Sequence, residues 1–275
     1  MSWKRFSLDL WRMKEVTTET IPRTNTEPWY AGMKNLISRE LYHERSRMYW
    51  IQQLLVWTLF TNGLTALFLS LPVGMFEGMS SAYLLSLVTF YSMLSFLISI
   101  FIPVLLQGIV IDEKLSGTAA WILSKPVSKK AYLLSKLVAS ILAIIGVSVV
   151  INGLIGYAVF SAFGYTPNIP GYLMNLGLTG ILVAYFASLT VMLGTLTTSR
   201  GKVLGAVVGL RIVAEVVARF FPLVLFLIPY SLPVMGIGLV TGDPVQGLEW
   251  MLLSASVQIV LFSLISLFVF DRTEL

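Results

Sequence analysis

The sequence predicts an all-α integral membrane protein of six transmembrane helices, preceded by an amphipathic interfacial helix. Hydrophobic residues make up 56% of the chain and charged residues 12%, about half the charged share of soluble domains. Crossing a bilayer takes about 20 apolar residues. Stretches of that kind lie at residues 50 to 72, 84 to 111, 137 to 163, 173 to 197, 203 to 226 and 251 to 270.

The part of the chain before the first span is polar. Residues 1 to 28 hold several basic residues and no apolar run, which predicts a cytoplasmic tail without a secretory signal. Residues 29 to 49 place Met33, Ile37 and Leu41 at helical spacing among charges and aromatics, which favours an interfacial amphipathic helix over a soluble helix of the tail. Residues 29 to 275 are expected to form one transmembrane domain.

The connections between spans alternate in charge. Basic groups precede the first span, recur in residues 112 to 136 and return at Arg200 and Lys202, whereas Glu77, Asp243 and Glu249 lie on the other side. Because Lys and Arg collect on cytoplasmic loops, both termini are expected in the cytoplasm, in a protein of the cell membrane. The net charge of +5 is explained in this way and does not indicate a nucleic-acid partner.

The composition leaves little room for chemistry inside this chain. The absence of Cys and the single His exclude disulfides, thiolate metal sites and most histidine catalysis. Residues 194 to 202 resemble a phosphate loop only superficially, since the glycine spacing is too long and Val203 follows the lysine. No catalytic, cofactor or metal site is therefore expected here, and a membrane-embedded enzyme is disfavoured.

The fifth span is unusual because it is charged. Arg211, Glu215 and Arg219 recur every four residues on one face, where Glu215 could reach both arginines. They could line a substrate pathway, form a salt-bridge ladder that only permits insertion, or mark a segment at the interface, with residues 220 to 240 as the true span. A second ridge could pack against another helix, in this chain or in another subunit, and consists of Gly201, Gly205 and Gly209.

Proline interrupts the apolar run after the fifth span. The breaks come at Pro222, Pro229 and Pro233, so this segment is too interrupted for a straight helix. We expect short helices or a re-entrant piece near the outer surface, where protein or water must satisfy the free backbone groups.

A polar island at residues 112 to 136 separates the second and third spans. Ser116 or Thr118 could cap a short helix that Pro126 ends, and Ser128 could cap the third span. An ordinary cytoplasmic loop would explain the charges. It would not explain the apolar residues 119 to 123, which are expected to meet protein or lipid.

The island resembles the signature between the second and third spans of type-2 ATP-binding cassette (ABC) exporter permeases. That pattern has Glu, Gly-Thr, an apolar run, Pro followed by a small or polar residue and a base, and Lys entering the next span. The matching residues are Glu113, Gly117, Thr118, Pro126, Ser128, Lys129 and Lys136. The order of spans resembles the family over nearly everything after residue 28, whereas the polar tail and the charges of the fifth span depart from it.

The resemblance implies that the island is a coupling helix that docks on a separate ATPase subunit. That subunit would bind ATP and magnesium, and two permeases, like or unlike, would join two ATPases within the lipid bilayer. The implied docking residues are Glu113, Gly117, Thr118, Trp121, Ile122, Leu123 and Pro126. A different class of function stays open, namely a membrane scaffold or sensor that anchors a cytoplasmic partner without transport. The six apolar spans offer few converging polar groups that would indicate a substrate.

Overall fold

A computed structural model describes Tyr30 and residues 32 to 45, 52, 55 to 71, 82 to 125, 127 to 221 and 223 to 272. Every regular element in these ranges is helical, which confirms the all-α prediction. The polar tail of residues 1 to 28, Pro126 and Pro222 lie outside the described residues. Numbered along the chain, the helices are α1 (Met33–Arg45), α2 (Leu55–Ser70), α3 (Ala82–Leu106), α4 (Ile111–Leu115), α5 (Thr118–Leu123), α6 (Lys129–Ala162), α7 (Ile169–Leu196), α8 (Arg200–Phe220), α9 (Val224–Leu227), α10 (Leu232–Met235), α11 (Ile237–Thr241) and α12 (Leu248–Arg272).

Within the described ranges, four helices are long and apolar enough to cross a membrane. They are Ala82–Leu115, which runs from α3 through a turn into α4, and Lys129–Ala162, Ile169–Leu196 and Leu248–Arg272. The first expected span is represented by the shorter helix α2, and the fifth by α8, which has 21 residues but carries three charges in its apolar part. The count of six spans therefore stays a prediction.

Helix α7 forms the centre of the bundle. It packs against α3, α6, α8 and α12. In the most apolar 18-residue stretch of α7, 72% is buried inside the protein, compared with 11% for the same length of α12. The largely exposed face of α12 carries Leu253, Val257 and Leu264. In water such a surface would be costly, so its composition suits contact with lipid or another apolar surface.

Helix α1 packs on the first turns of α6. Leu36 of α1 is buried there, while Lys34, Arg39 and Tyr42 are exposed on its other side. Part of the apolar face of α1 thus meets protein. Whether the remainder lies along a membrane surface stays a prediction.

The proline-broken segment between α8 and α12 is held by side chains from three different helices. The bonds run from Gln258 of α12 to the carbonyl of Leu227, from Ser95 of α3 to Tyr230 and from Asn175 of α7 to Pro233. Breaking the helix frees backbone carbonyls, which are expensive to leave unpaired away from water. The protein therefore supplies the partners itself.

A buried polar contact joins α2 to α6. Asn152 Oδ1 accepts hydrogen bonds from Thr61 Oγ1 at 2.9 Å and from Asn62 Nδ2 at 2.6 Å. Both helices contain a π-helical stretch at this place, Thr58–Asn62 in α2 and Ile145–Ile151 in α6. Such widened turns rotate the following side chains and here bring the three polar groups together.

Helix α7 approaches the proline-broken segment closely at Gly171. A Cβ at this position would overlap the carbonyl oxygen of Leu239 in α11. We expect Gly171→Ala to destabilise the protein by about 1–3 kcal/mol, because the backbone must shift to relieve the overlap.

The matched control is Gly177→Ala on the same helix, where no described atom lies within 4 Å of an added Cβ. This change should be neutral or slightly stabilising, because alanine favours helix by up to about 1 kcal/mol. Thermal unfolding of both variants in detergent compares them. Equal midpoints would contradict the packing described for Gly171.

Candidate functional site

The island folds as two short helices, α4 and α5, with a sharp turn at Gly117. Gly117 precedes α5 with a φ of 72°, in the left-handed region that favours glycine. The expected cap by Ser116 or Thr118 is wrong, because neither hydroxyl bonds the first turn of α5. The two hydroxyls instead lie 2.9 Å apart and bond each other.

The other expected cap is confirmed. Ser128 Oγ accepts a hydrogen bond from the backbone N–H of Ala131 at 3.0 Å and begins α6. Helix α6 therefore starts at Lys129, eight residues before the expected start of the third span. The first turns of α6 form part of the island's surroundings.

Helical geometry divides the apolar residues of α5 into two faces. Ala119, Ile122 and Leu123 are buried within the chain. Trp121 is 59% exposed and Leu115, at the end of α4, is 71% exposed. Lys125 places its ammonium 3.9 Å from the centre of the Trp121 ring, a cation–π contact on the surface. We call Leu115, Trp121 and Lys125 the exposed island face.

Beneath this face lies a buried charge, the ammonium of Lys136. Its side chain is only 2% exposed and pairs with Glu113 of α4 at 2.8 Å and with Glu40 of α1 at 3.1 Å. The hydroxyl of Tyr132 donates to the second carboxylate oxygen of Glu113. These four residues, the Lys136 cluster, join α1, the island and α6.

Weaker contacts connect the island to the rest of the bundle. Arg200, at the start of α8, pairs with Asp112 at 2.5 Å, but both side chains are about half exposed, so the pair stabilises by about 0–1 kcal/mol. Lys114 donates to the carbonyl of Thr195 at the end of α7, at 3.1 Å. The ends of α7 and α8 thus meet the island, and we call this end of the bundle the island end.

Toward the opposite end of the bundle, a cavity of about 740 Å³ lies between α3, α8 and the proline-broken segment. Arg211, Glu215 and Arg219 of α8 line it. Arg211 pairs with Glu215 at 2.5 Å and its guanidinium stacks over the ring of Tyr230, 4.0 Å from the ring centre. The expectation that Glu215 reaches both arginines is wrong. No described carboxylate lies within 4.0 Å of the Arg219 guanidinium, although Arg219 lines the same cavity.

The glycine ridge of α8 faces away from the other described residues of the chain. A Cβ added at Gly201, Gly205 or Gly209 would meet no described atom within 4 Å. The ridge therefore packs no helix among the described residues of this chain. A contact with a second chain stays a prediction.

Several of these residues were not expected from the sequence as parts of a site. Glu40 lies 96 residues from Lys136, and nothing local pairs them. For Tyr230 and Ser95 the sequence offers one general indication, since each is a polar residue in an apolar segment and needs a hydrogen-bond partner there.

The Lys136 cluster allows a direct test of what holds the island. We expect Lys136→Met to destabilise the protein by about 3–5 kcal/mol, because two partly buried carboxylates lose their common partner. In a chain of this size that corresponds to a fall on the order of 10 °C in the midpoint of thermal unfolding.

Lys130→Met is the control, since Lys130 is an exposed lysine in the same first turns of α6. It should unfold close to wild type when both are measured in the same detergent. A Lys136→Met protein as stable as the control would show that the buried pair does not hold the island.

Comparison with known proteins agrees with the architecture. A family model described as "ABC-2 family transporter protein" matches residues 43–275, well over half of the chain. The comparison with curated protein sequences found no match to this chain. The match includes the island, α8 and the proline-broken segment, and excludes the polar tail. The chain therefore belongs to the ABC-2 transporter family and is a membrane permease, which is not itself catalytic.

Proposed function

We propose that this chain is the membrane subunit of an ATP-driven exporter, working by alternating access with a separate ATPase subunit. The observation that carries the proposal is the exposed island face. It presents Trp121 and Leu115 to a partner while the Lys136 cluster fixes the helices beneath it. ATP and magnesium would be bound by the partner, as family membership suggests.

The two faces of α5 divide the docking residues expected from the sequence. Trp121 and the turn at Gly117 and Thr118 are available to a partner. Ile122 and Leu123 point into the chain, so we assign them to supporting the island from within. Glu113 likewise acts from beneath, through Lys136.

The charges at the two ends of the bundle support a cytoplasmic position for the island end. That end gathers basic residues of the island with Arg200 and Lys202 at the start of α8, and Lys129 donates to the carbonyl of Asp271 at the end of α12. The opposite end carries Asp243 and Glu249. By the excess of basic residues on cytoplasmic loops, the C-terminus would be cytoplasmic.

The docking proposal predicts a specific cross-link. A photoreactive phenylalanine analogue at position 121 should cross-link, in whole cells, to a chain that carries its own ATP-binding motifs, because this side chain is exposed on the island. The same analogue at position 250 is the control, since Trp250 is 65% exposed at the other end of the bundle.

The matching substitution is Trp121→Ala, which should lower the recovery of that ATPase on the purified permease and its ATP hydrolysis by about tenfold or more, as expected for a central aromatic anchor. Trp250→Ala should change neither quantity. Normal recovery and hydrolysis with Trp121→Ala would exclude this face as the docking surface. An ATPase that binds the permease and hydrolyses ATP without solute transport would favour the alternative function, a membrane scaffold that anchors a cytoplasmic partner.

The second partner we propose is another permease copy or homologue, packed on the glycine ridge of α8. Small residues spaced by four let helices approach closely in a membrane, and none of the described residues covers this ridge. We expect Gly205→Leu to convert the permease to a single copy, because the larger side chain separates the two helices.

Gly177→Leu is the control, because Gly177 is also open but lines a groove between α6, α7 and α12. Native mass spectrometry of the two variants counts the copies. A dimer that survives Gly205→Leu would place the permease contact elsewhere.

A further inference from the structure

The cavity between α3 and α8 has an apolar body and a charged wall. Phe96 and Ile100 of α3 and Val208 and Ile212 of α8 form part of its apolar lining. Its volume of about 740 Å³ lies within the range of about 300–1,000 Å³ that is usual for small-molecule sites. A molecule with a substantial hydrocarbon part would therefore fit.

The charged wall carries two guanidinium groups and one carboxylate. Arg211 and Arg219 are eight residues apart, about 12 Å along the helix axis, and both line the cavity together with Glu215. Glu215 is engaged by Arg211, so the wall keeps one formal positive charge, on Arg219. No carboxylate of the described residues lies within 4.0 Å of the Arg219 guanidinium, so this positive charge suits an anion.

Arg211 also holds unused hydrogen-bonding capacity. Its side chain is 13% exposed, and its Nε is buried with no hydrogen-bond partner among the described residues. An arginine side chain has five N–H donors, and one bond to Glu215 with a ring contact to Tyr230 leaves several open. An intrahelical ladder built only for insertion would pair its charges, whereas Arg219 faces the same cavity with no ion pair among the described residues.

We propose that this cavity binds an amphiphile with a single anionic head group, as the substrate that the permease transports. Arg219 and the free donors of Arg211 would hold a carboxylate, phosphate or sulfonate head, and the apolar lining would take the hydrocarbon tail. Glu215 keeps Arg211 in place when the site is empty and weakens anion binding by its own charge. The inference rests on the proposed transport function for the role of the ligand, but not for its binding.

The test uses the full-length chain in nanodiscs of phosphatidylcholine. The probe is 11-(dansylamino)undecanoic acid, a fluorescent fatty acid with one carboxylate, with empty nanodiscs as the reference for partition into lipid. Dodecyl phosphate should displace it at a concentration at least about tenfold lower than dodecyltrimethylammonium or dodecanol. Inorganic phosphate, a head group without a tail, should not displace it.

Arg219→Gln should weaken probe binding by about tenfold or more, the loss expected for a charge-assisted contact. Arg219 is exposed and its removal leaves no described ion pair broken, so the variant should fold. Glu215→Gln should bind the probe more tightly than wild type. The control is Arg272→Gln, which removes an arginine at the island end of α12 and should bind as wild type does.

Equal displacement by the anionic and cationic amphiphiles would overturn the proposal, and so would wild-type binding by Arg219→Gln. Weaker binding by Glu215→Gln would do the same, because it would make the carboxylate a partner of the ligand. Binding is measured without an ATPase, so the two proposals can fail separately. Charge-selective binding by a chain that fails the cross-linking test would contradict the proposed ATP-driven transport and still support an anion-binding cavity.

Discussion

The ammonium of Lys136 is buried where, among the described residues, two carboxylates from distant parts of the chain neutralise it. A lone charge at such a place would cost several kcal/mol, so the ammonium needs a carboxylate partner, and Glu40 and Glu113 both pair with it. This requirement joins α1 to α6 and fixes how the island lies on them. On the island held in this way, helical geometry turns Ile122 inward and Trp121 outward. The surface offered to a partner depends on a charge that the partner never touches.

The island is joined unequally to its two neighbours. Toward α1 and α6 the connection is buried and charged, whereas toward α7 and α8 it consists of the half-exposed pair of Asp112 with Arg200 and one bond from Lys114 to a carbonyl. In the proposed mechanism, a push on the exposed island face would move α1, the island and α6 as one body. The ends of α7 and α8 would then be the place where movement between parts of the bundle begins.

Local features of the sequence were enough to predict the apolar helices, the place of the island and the cap at Ser128. Local features did not predict the contacts between distant parts of the chain, or which of two possible hydrogen-bond or ion-pair partners a side chain takes. Ser116 and Thr118 each looked able to cap α5, but they bond each other and leave the turn to Gly117. Glu215 could reach an arginine one turn away in either direction, and it pairs with Arg211, whose guanidinium also stacks on the distant ring of Tyr230. The apolar residues 119 to 123 formed one run in the sequence and two faces in the helix.

The proline-broken segment acts as a junction among three helices. Its carbonyls at Leu227, Tyr230 and Pro233 are each bonded by a side chain from a different helix, α12, α3 and α7. A shift of any one of these helices would separate a carbonyl from its hydrogen-bond donor unless the segment moved too. Tyr230 is also the ring on which Arg211 stacks. A rearrangement of the helices would therefore also change the shape of the charged cavity. A molecule bound in that cavity would in turn alter the free energy of the helix movement.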